Sequence, residues 1–135
     1  MPKLSGQCLC GNIAFSTDTE ILRAANCHCA DCRGATGAAF ATLLTVDEDA
    51  LTITGTPKAY GHKADSGADM EKLFCPDCGS QMFARNSNRP GTLSIRAGVI
   101  EQTDEVKPAF NLFGDSKIAS TPLDPDLPLF DRMPG

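Results

Sequence analysis

The chain has 135 residues, of which 12 are Lys or Arg and 17 Asp or Glu, for a formal charge of −5, with 41% apolar and 21% charged residues. This is the composition of one folded domain, residues 1–135, long enough to bury its own core. The acidic balance argues against nucleic acid and anionic membranes as partners, and seven Phe, one Tyr and no Trp leave little for base stacking.

The N-terminal stretch Met1-Pro2-Lys3-Leu4-Ser5 lacks the apolar core of a signal peptide. No run approaches the roughly 20 apolar residues of a membrane helix. The expected setting is therefore cytoplasmic and reducing, where clustered cysteines serve as metal ligands or catalysts rather than disulfides. Seven cysteines also cannot all pair within one chain.

Taken in chain order, the first feature is Cys8-Leu9-Cys10. On an extended strand, residues i and i+2 share a face, which predicts two sulfurs side by side. The short β-like run Ile13-Ala14-Phe15 follows, and then Cys27-His28-Cys29-Ala30-Asp31-Cys32. One helical turn is predicted from Ala30 to Ala35. Further β-like runs cover 39–46, 51–54 and 92–96, punctuated by Gly55-Thr56-Pro57 and Asn88-Arg89-Pro90-Gly91. Between them lies Cys75-Pro76-Asp77-Cys78, where Pro76 presets φ for a tight turn and Gly79 suits a left-handed position. Residues 121–135 hold four prolines and are predicted to run over the surface as an extended tail, pinned by Leu127, Leu129 and Phe130. With no internal repeat and weak helical periodicity, the chain reads as a mostly antiparallel β domain.

The cysteine spacing carries the chemistry. The two outer pairs, Cys8 with Cys10 and Cys75 with Cys78, supply four thiolates, enough to close a tetrahedral structural zinc site. The other readings of these residues are buried apolar cysteines or a redox-active Cys-x-x-Cys, which usually opens a helix in a βαβ setting absent here. The middle cluster, Cys27, Cys29 and Cys32, supplies three thiolates and leaves one position of a second zinc open. His28 alternates with its neighbours, and is expected in the core rather than on the metal. Arg33 is the candidate for holding an anionic substrate group, against a plain surface role. An open thiolate-rich zinc acts as a Lewis acid toward a carbonyl, or lowers the pKa of an incoming thiol. Metalloprotease, deaminase, Walker and dinucleotide-binding patterns are all missing. Neither His28 nor His62 shows the setting of a general acid, so no catalytic residue is assigned.

The order Gly6-x-Cys8-x-Cys10-Gly11-x-Ile13, Cys27-His28-Cys29-x-x-Cys32-Arg33, Gly37-Ala38-Ala39-Phe40 and Phe74-Cys75-x-x-Cys78-Gly79 resembles the glutathione-dependent formaldehyde-activating family, which includes centromere protein V. The likeness continues through Leu112-Phe113-Gly114-Asp115-Ser116-Lys117 and Asp126-Leu127-Pro128-x-Phe130. It implies a β-tent fold of several small coiled antiparallel sheets, with one zinc at Cys8, Cys10, Cys75 and Cys78. A second zinc is implied at Cys27, Cys29 and Cys32. It further implies carbon–sulfur lyase activity with glutathione and formaldehyde as partners, giving S-hydroxymethylglutathione. Arg33, Lys72, Arg85 and Arg96 are the cations available to the carboxylates of glutathione, each otherwise expected as a solvated surface group. Two positions depart from many relatives: Ile118-Ala119-Ser120 lacks a Trp, and Asn111 stands where a His is frequent. The competing classes are a non-catalytic zinc-stabilised binding module and a redox- or metal-responsive thiol protein.

Overall fold

The structure is a computed structural model that describes residues 1–133; the last two residues of the expected tail, Pro134 and Gly135, lie outside the described residues. The chain is mostly β. A three-stranded sheet in the order β1-β2-β5 is built from Leu4–Gln7, Ala14–Thr17 and Thr52–Thr54. A seven-stranded sheet runs β10-β3-β4-β9-β8-β7-β6. Its strands are β3 Arg23–Cys27, β4 Ala41–Asp47, β6 Lys58–Lys63, β7 Asp69–Phe74, β8 Gln81–Asn86, β9 Thr92–Arg96 and β10 Asn111–Leu112. Among the described residues the strands pair antiparallel except β10 with β3, which is parallel. The one α-helix among the described residues, α1, spans Ala30–Thr36, one residue longer than the predicted turn.

Alternation along the strands sorts the two faces of the large sheet. Leu44, Val46, Leu73, Phe83, Leu93 and Ile95 are buried on one face, against Leu4 and Phe15 of the small sheet and Ile13 just before β2. Phe15 and Phe83 meet edge to face across this core, ring centroids 5.7 Å apart, the arrangement that aromatic quadrupoles favour. Burial of each such side chain contributes about 1.5–3 kcal/mol. The small sheet sits close because Gly6 has no side chain: a Cβ there would come within 1.8 Å of the Val99 carbonyl oxygen. Cys8 and Cys75 are buried in this same core.

The opposite face of the large sheet carries the other residue set. Pairing puts Cys27 beside Ala41, then Ala25 beside Leu43 and Arg96, one row on. The next row joins Thr45, Ser94, Ala84, Lys72 and Tyr60. Helix α1 follows β3 directly and covers this face, where Cys27, Cys32 and Ala41 form a second buried cluster flanked by Cys29, Leu43 and Phe113. The end of the chain returns to β10: Asn111 N–H donates to Pro128 O, and Phe130 N–H donates to Asn111 O.

Candidate metal centres

The first group of sulfurs is built by two turns. Cys8 and Cys10 do not lie on a strand, as the spacing predicted. They follow β1 in a hairpin turn, closed by Cys8 N–H donating to Ile13 O at 2.9 Å and Gly11 N–H to Cys8 O at 3.0 Å. Gly11 adopts φ +83°, and this left-handed residue is what lets the chain reverse here. Cys75 and Cys78 sit in the β7–β8 turn, where Gly79, at φ +79°, donates its N–H to Cys75 O at 2.8 Å. The two turns are clasped by Leu9 N–H to Ser80 Oγ at 3.0 Å and Asn12 Nδ2 to Asp77 Oδ2 at 2.9 Å.

The four sulfurs of Cys8, Cys10, Cys75 and Cys78 lie within 4.8 Å of one another. Cys8–Cys10 is 3.6 Å and Cys10–Cys75 is 3.7 Å. A tetrahedron with zinc–sulfur bonds of about 2.3 Å has edges of about 3.8 Å, so this donor set fits a zinc ion. The thiols are unequal. The Ser80 hydroxyl, 3.1 Å away, brings Cys78 down to about 5. Cys10 is favoured as thiolate by the Asn12 N–H, but burial and the three neighbouring sulfurs push it up to about 12. Despite burial, the Ile13 N–H, 3.3 Å away, and the neighbouring sulfurs also hold Cys8 below its ordinary value.

The second group is Cys27, Cys29 and Cys32, again within 4.8 Å of one another. Cys27 is the last residue of β3 and Cys29 the N-cap of α1, where its Sγ accepts the Cys32 N–H at 3.3 Å. That N-cap puts Cys32, one helical turn on, back over Cys27. Hydrogen bonds from Cys27 and Cys29 hold Cys32 well below the usual thiol range, and the charges of Lys72 and Arg96 add to this. Cys27 is pushed far up by Cys29 and Cys32 and by burial. Three soft donors and no fourth His, Cys, Asp or Glu come together here among the described residues. The set fits a zinc that keeps one position for another ligand.

His28 is fully buried, and its Nε2 lies 3.2 Å from Asn111 Oδ1, as the alternation predicted. Asn111 thereby ties β10 to the first residues of the cluster, and it also accepts from Asn26 Nδ2 at 3.2 Å. Phe113 packs against the cluster of Cys27, Cys32 and Ala41 and is held at φ 58°, a left-handed conformation that costs a non-glycine residue about 1–2 kcal/mol. Arg33 lies half-buried in the last turn of α1, its Nε donating to His28 O at 3.4 Å.

Two cations depart from expectation. Lys72 and Arg96 are not solvated: each is 5% exposed. The register explains this, since both project from the face that α1 covers. Arg85 is instead held by Glu48 and Glu71, at 2.7 and 2.8 Å. The fold also brings His62 of β6 to α1, its Nδ1 4.0 Å from Asp31 Oδ2, with the Tyr60 ring stacked alongside at 6.1 Å. Nothing local marks His62, because its partner lies on a distant element. Two shallow grooves of about 400 and 370 Å³ lie elsewhere, lined by residues such as Thr19, Asp47 and Pro90 in one and Ala24, Lys107 and Phe110 in the other. Neither is lined by a cysteine.

The model of a family described as glutathione-dependent formaldehyde-activating enzyme matches residues 3–116. A protein of Phaeosphaeria nodorum, provisionally named a glutathione-dependent formaldehyde-activating enzyme, is 29% identical over 86 residues, which are 64% of this chain and 45% of that relative. The chain thus spans less than half the length of that protein. A lyase of Schizosaccharomyces pombe is 23% identical over 106 residues, 78% of this chain and 74% of the relative. Among solved structures, a Rhodobacter sphaeroides protein shares the fold, with a TM-score of 0.56 at 20% identity, over 77% of this chain and 96% of the other.

Proposed function

Because the chain belongs to the glutathione-dependent formaldehyde-activating enzyme family, we propose that it is a zinc-dependent carbon–sulfur lyase acting on a small thiol–aldehyde adduct, of the S-(hydroxymethyl)glutathione synthase type. The observation that carries this reading is the contrast between four gathered sulfurs in one group and three in the other. In the proposed reaction a sulfur–carbon bond forms between thiol and aldehyde, and the thiol proton ends on the former carbonyl oxygen. Oxidation states balance without a redox partner.

Cys8, Cys10, Cys75 and Cys78 hold the structural ion and join the small sheet to the β7–β8 turn. Cys27, Cys29 and Cys32 hold the second. A zinc ion bound there supplies Lewis acidity and lowers the pKa of a thiol it binds. Phe113 and Leu43 form an apolar wall on this cluster, which limits the access of water. Arg33 stands at the end of α1 as a cation for an anionic substrate group. His62 is the histidine that the fold brings to this helix, and the proton donor is left unassigned. The whole chain is read as one zinc-binding domain acting on small molecules.

The test is exchange NMR on glutathione and formaldehyde with the zinc-loaded protein. Faster formation and breakdown of the hydroxymethyl adduct than in buffer, lost in Cys32→Ser, is expected. A rate equal to that in buffer, from protein holding zinc at both groups, contradicts the reading.

A further inference from the structure

Among the described residues Phe113 is the only one besides glycine with a positive φ, at 58°. Gly11, Gly37 and Gly79 take up that conformation near the cysteines, where the lack of a Cβ removes the clash. A side chain kept at such a position persists because its surroundings hold it, and strain of this kind gathers at functional sites. Here the end of the chain does the holding. The N–H groups of Phe113, Gly114 and Asp115 donate to Arg132 O at 3.3 Å, Phe130 O at 3.0 Å and Asp131 O at 3.2 Å. Phe113 O accepts the Ser116 N–H at 3.0 Å, and Arg132 Nε donates to Asp115 Oδ2 at 3.2 Å. Both backbone polar groups of Phe113 are therefore committed, which fixes where its Cβ points.

The ring packs on the three-cysteine group. Cys27 and Cys32 are 6% and 5% exposed, whereas Cys29 is only half-buried. A molecule reaching these sulfurs therefore arrives on the side of Cys29. Besides Cys29, the partly buried apolar residues packed on this cluster are Leu43 and Phe113. Leu43 lies inside the sheet, paired with Ala25 on one side and Arg96 on the other. Phe113 lies just beyond the end of β10, outside the sheet, so the segment 130–132 rather than a strand pairing decides where its ring stands.

We propose that Phe113 sets the size of the carbonyl compound admitted to Cys27, Cys29 and Cys32. Its ring narrows the approach past Cys29. Aldehydes carrying only hydrogen or a methyl group pass, and branched or aromatic ones do not. The choice of an aldehyde as substrate rests on the function proposed above; the control of access to the sulfurs does not.

The test compares N-methylmaleimide with the bulky pyrene maleimide on the full chain as purified. Peptide mass spectrometry reads each rate at Cys29, and each is divided by the same reagent's rate with free glutathione. In the wild type the small reagent is expected to be favoured about tenfold, the low end of what an apolar pocket discriminates by size. Phe113→Ala should bring that ratio close to one, and Phe113→Leu should fall between. Phe113→Gly, which adopts the left-handed backbone without strain, should match Phe113→Ala and covers the case in which Phe113→Ala does not fold. A ratio close to one in the wild type, or the same ratio in wild type and variants, overturns the proposal, since a merely structural ring would change both reagents alike. Glutathione with formaldehyde and with benzaldehyde gives a second readout, in which the variants should raise the benzaldehyde rate relative to the formaldehyde rate. Exchange no faster than in buffer with either aldehyde contradicts the proposed lyase function, and the maleimide ratio then still decides the role of Phe113.

Discussion

Cys10 and Cys75 stand 65 positions apart in the chain and hold their sulfurs 3.7 Å apart. Two hairpin turns, from different sheets, are thus fastened at one point beside the core that both sheets share. A metal at that point adds to the Leu9–Ser80 and Asn12–Asp77 hydrogen bonds, the Gly6 approach and the shared apolar core in tying these elements together. The three-cysteine group is different in kind: β3 and α1 supply all three donors within six residues of sequence.

That difference predicts unequal responses to losing one thiol. Cys75→Ser should unfold the chain, since structural zinc contributes folding free energy directly, about 10–16 kcal/mol in small zinc peptides. Cys29→Ser should lose the second metal but keep the fold. Circular dichroism and metal content of the two variants check this, and equal unfolding would show that both groups are structural.

Gly6→Ala should destabilise by about 3 kcal/mol or more. The added methyl meets a backbone oxygen, Val99 O, at 1.8 Å, and backbone cannot rotate away as a side chain can. Denaturant titration of the zinc-loaded variant measures the loss. A change below about 1 kcal/mol would mean that the two segments are not held this close.

Asn111→Ala should cost about 1–3 kcal/mol, because it strips the acceptor that the buried His28 and Asn26 share. Its effect should reach the C-terminal segment indirectly, because the backbone of residue 111, which bonds Pro128 O and the Phe130 N–H, loses the side-chain anchor that positions it. Hydrogen exchange of the Phe130 amide reads this directly, and unchanged protection would contradict it.

The Arg85 guanidinium holds Glu48 below its ordinary carboxylate value, despite burial acting the other way. A depressed folded pKa means that the contribution is fully present above the unfolded value, about 4.3. It is lost as pH falls through the lower folded value. The pair is about one-third exposed, so its worth is at most about 1 kcal/mol. Glu48→Gln should therefore lower stability modestly at pH 7, and by less at the lowest pH at which the zinc-loaded protein stays folded. Denaturant midpoints at these two pH values check the sign, and a larger loss at the lower pH would contradict the ion-pair account.

The cysteine groups were legible because ligand spacing is local: Cys-x-Cys and Cys-x-x-Cys aim their sulfurs through one turn each. α1 was legible as a short turn directly after the middle cysteine cluster, and the strands at 41–47, 52–54 and 92–96 from apolar or β-branched runs. β6 was not, since Lys58–Lys63 is almost wholly exposed and shows no alternation. Cys8 and Cys10 read as strand residues, but the left-handed Gly11 and the Cys8–Ile13 hydrogen bond make a turn of them. Arg96 and Lys72 read as surface groups because charge implies exposure. Only the strand register and the helix covering it turn these positions inward, and both depend on contacts between residues far apart in sequence. The meeting of His62 with Asp31 is hidden for the same reason.

The most direct test of the central claim, one closed and one open metal group, is zinc per chain in protein purified anaerobically without added metal, followed by a mild chelator. Two zincs per chain are predicted, one of them removed while the fold persists, with Cys27, Cys29 and Cys32 becoming reactive toward alkylation. A single zinc that resists the chelator, with those three thiols free throughout, would contradict it.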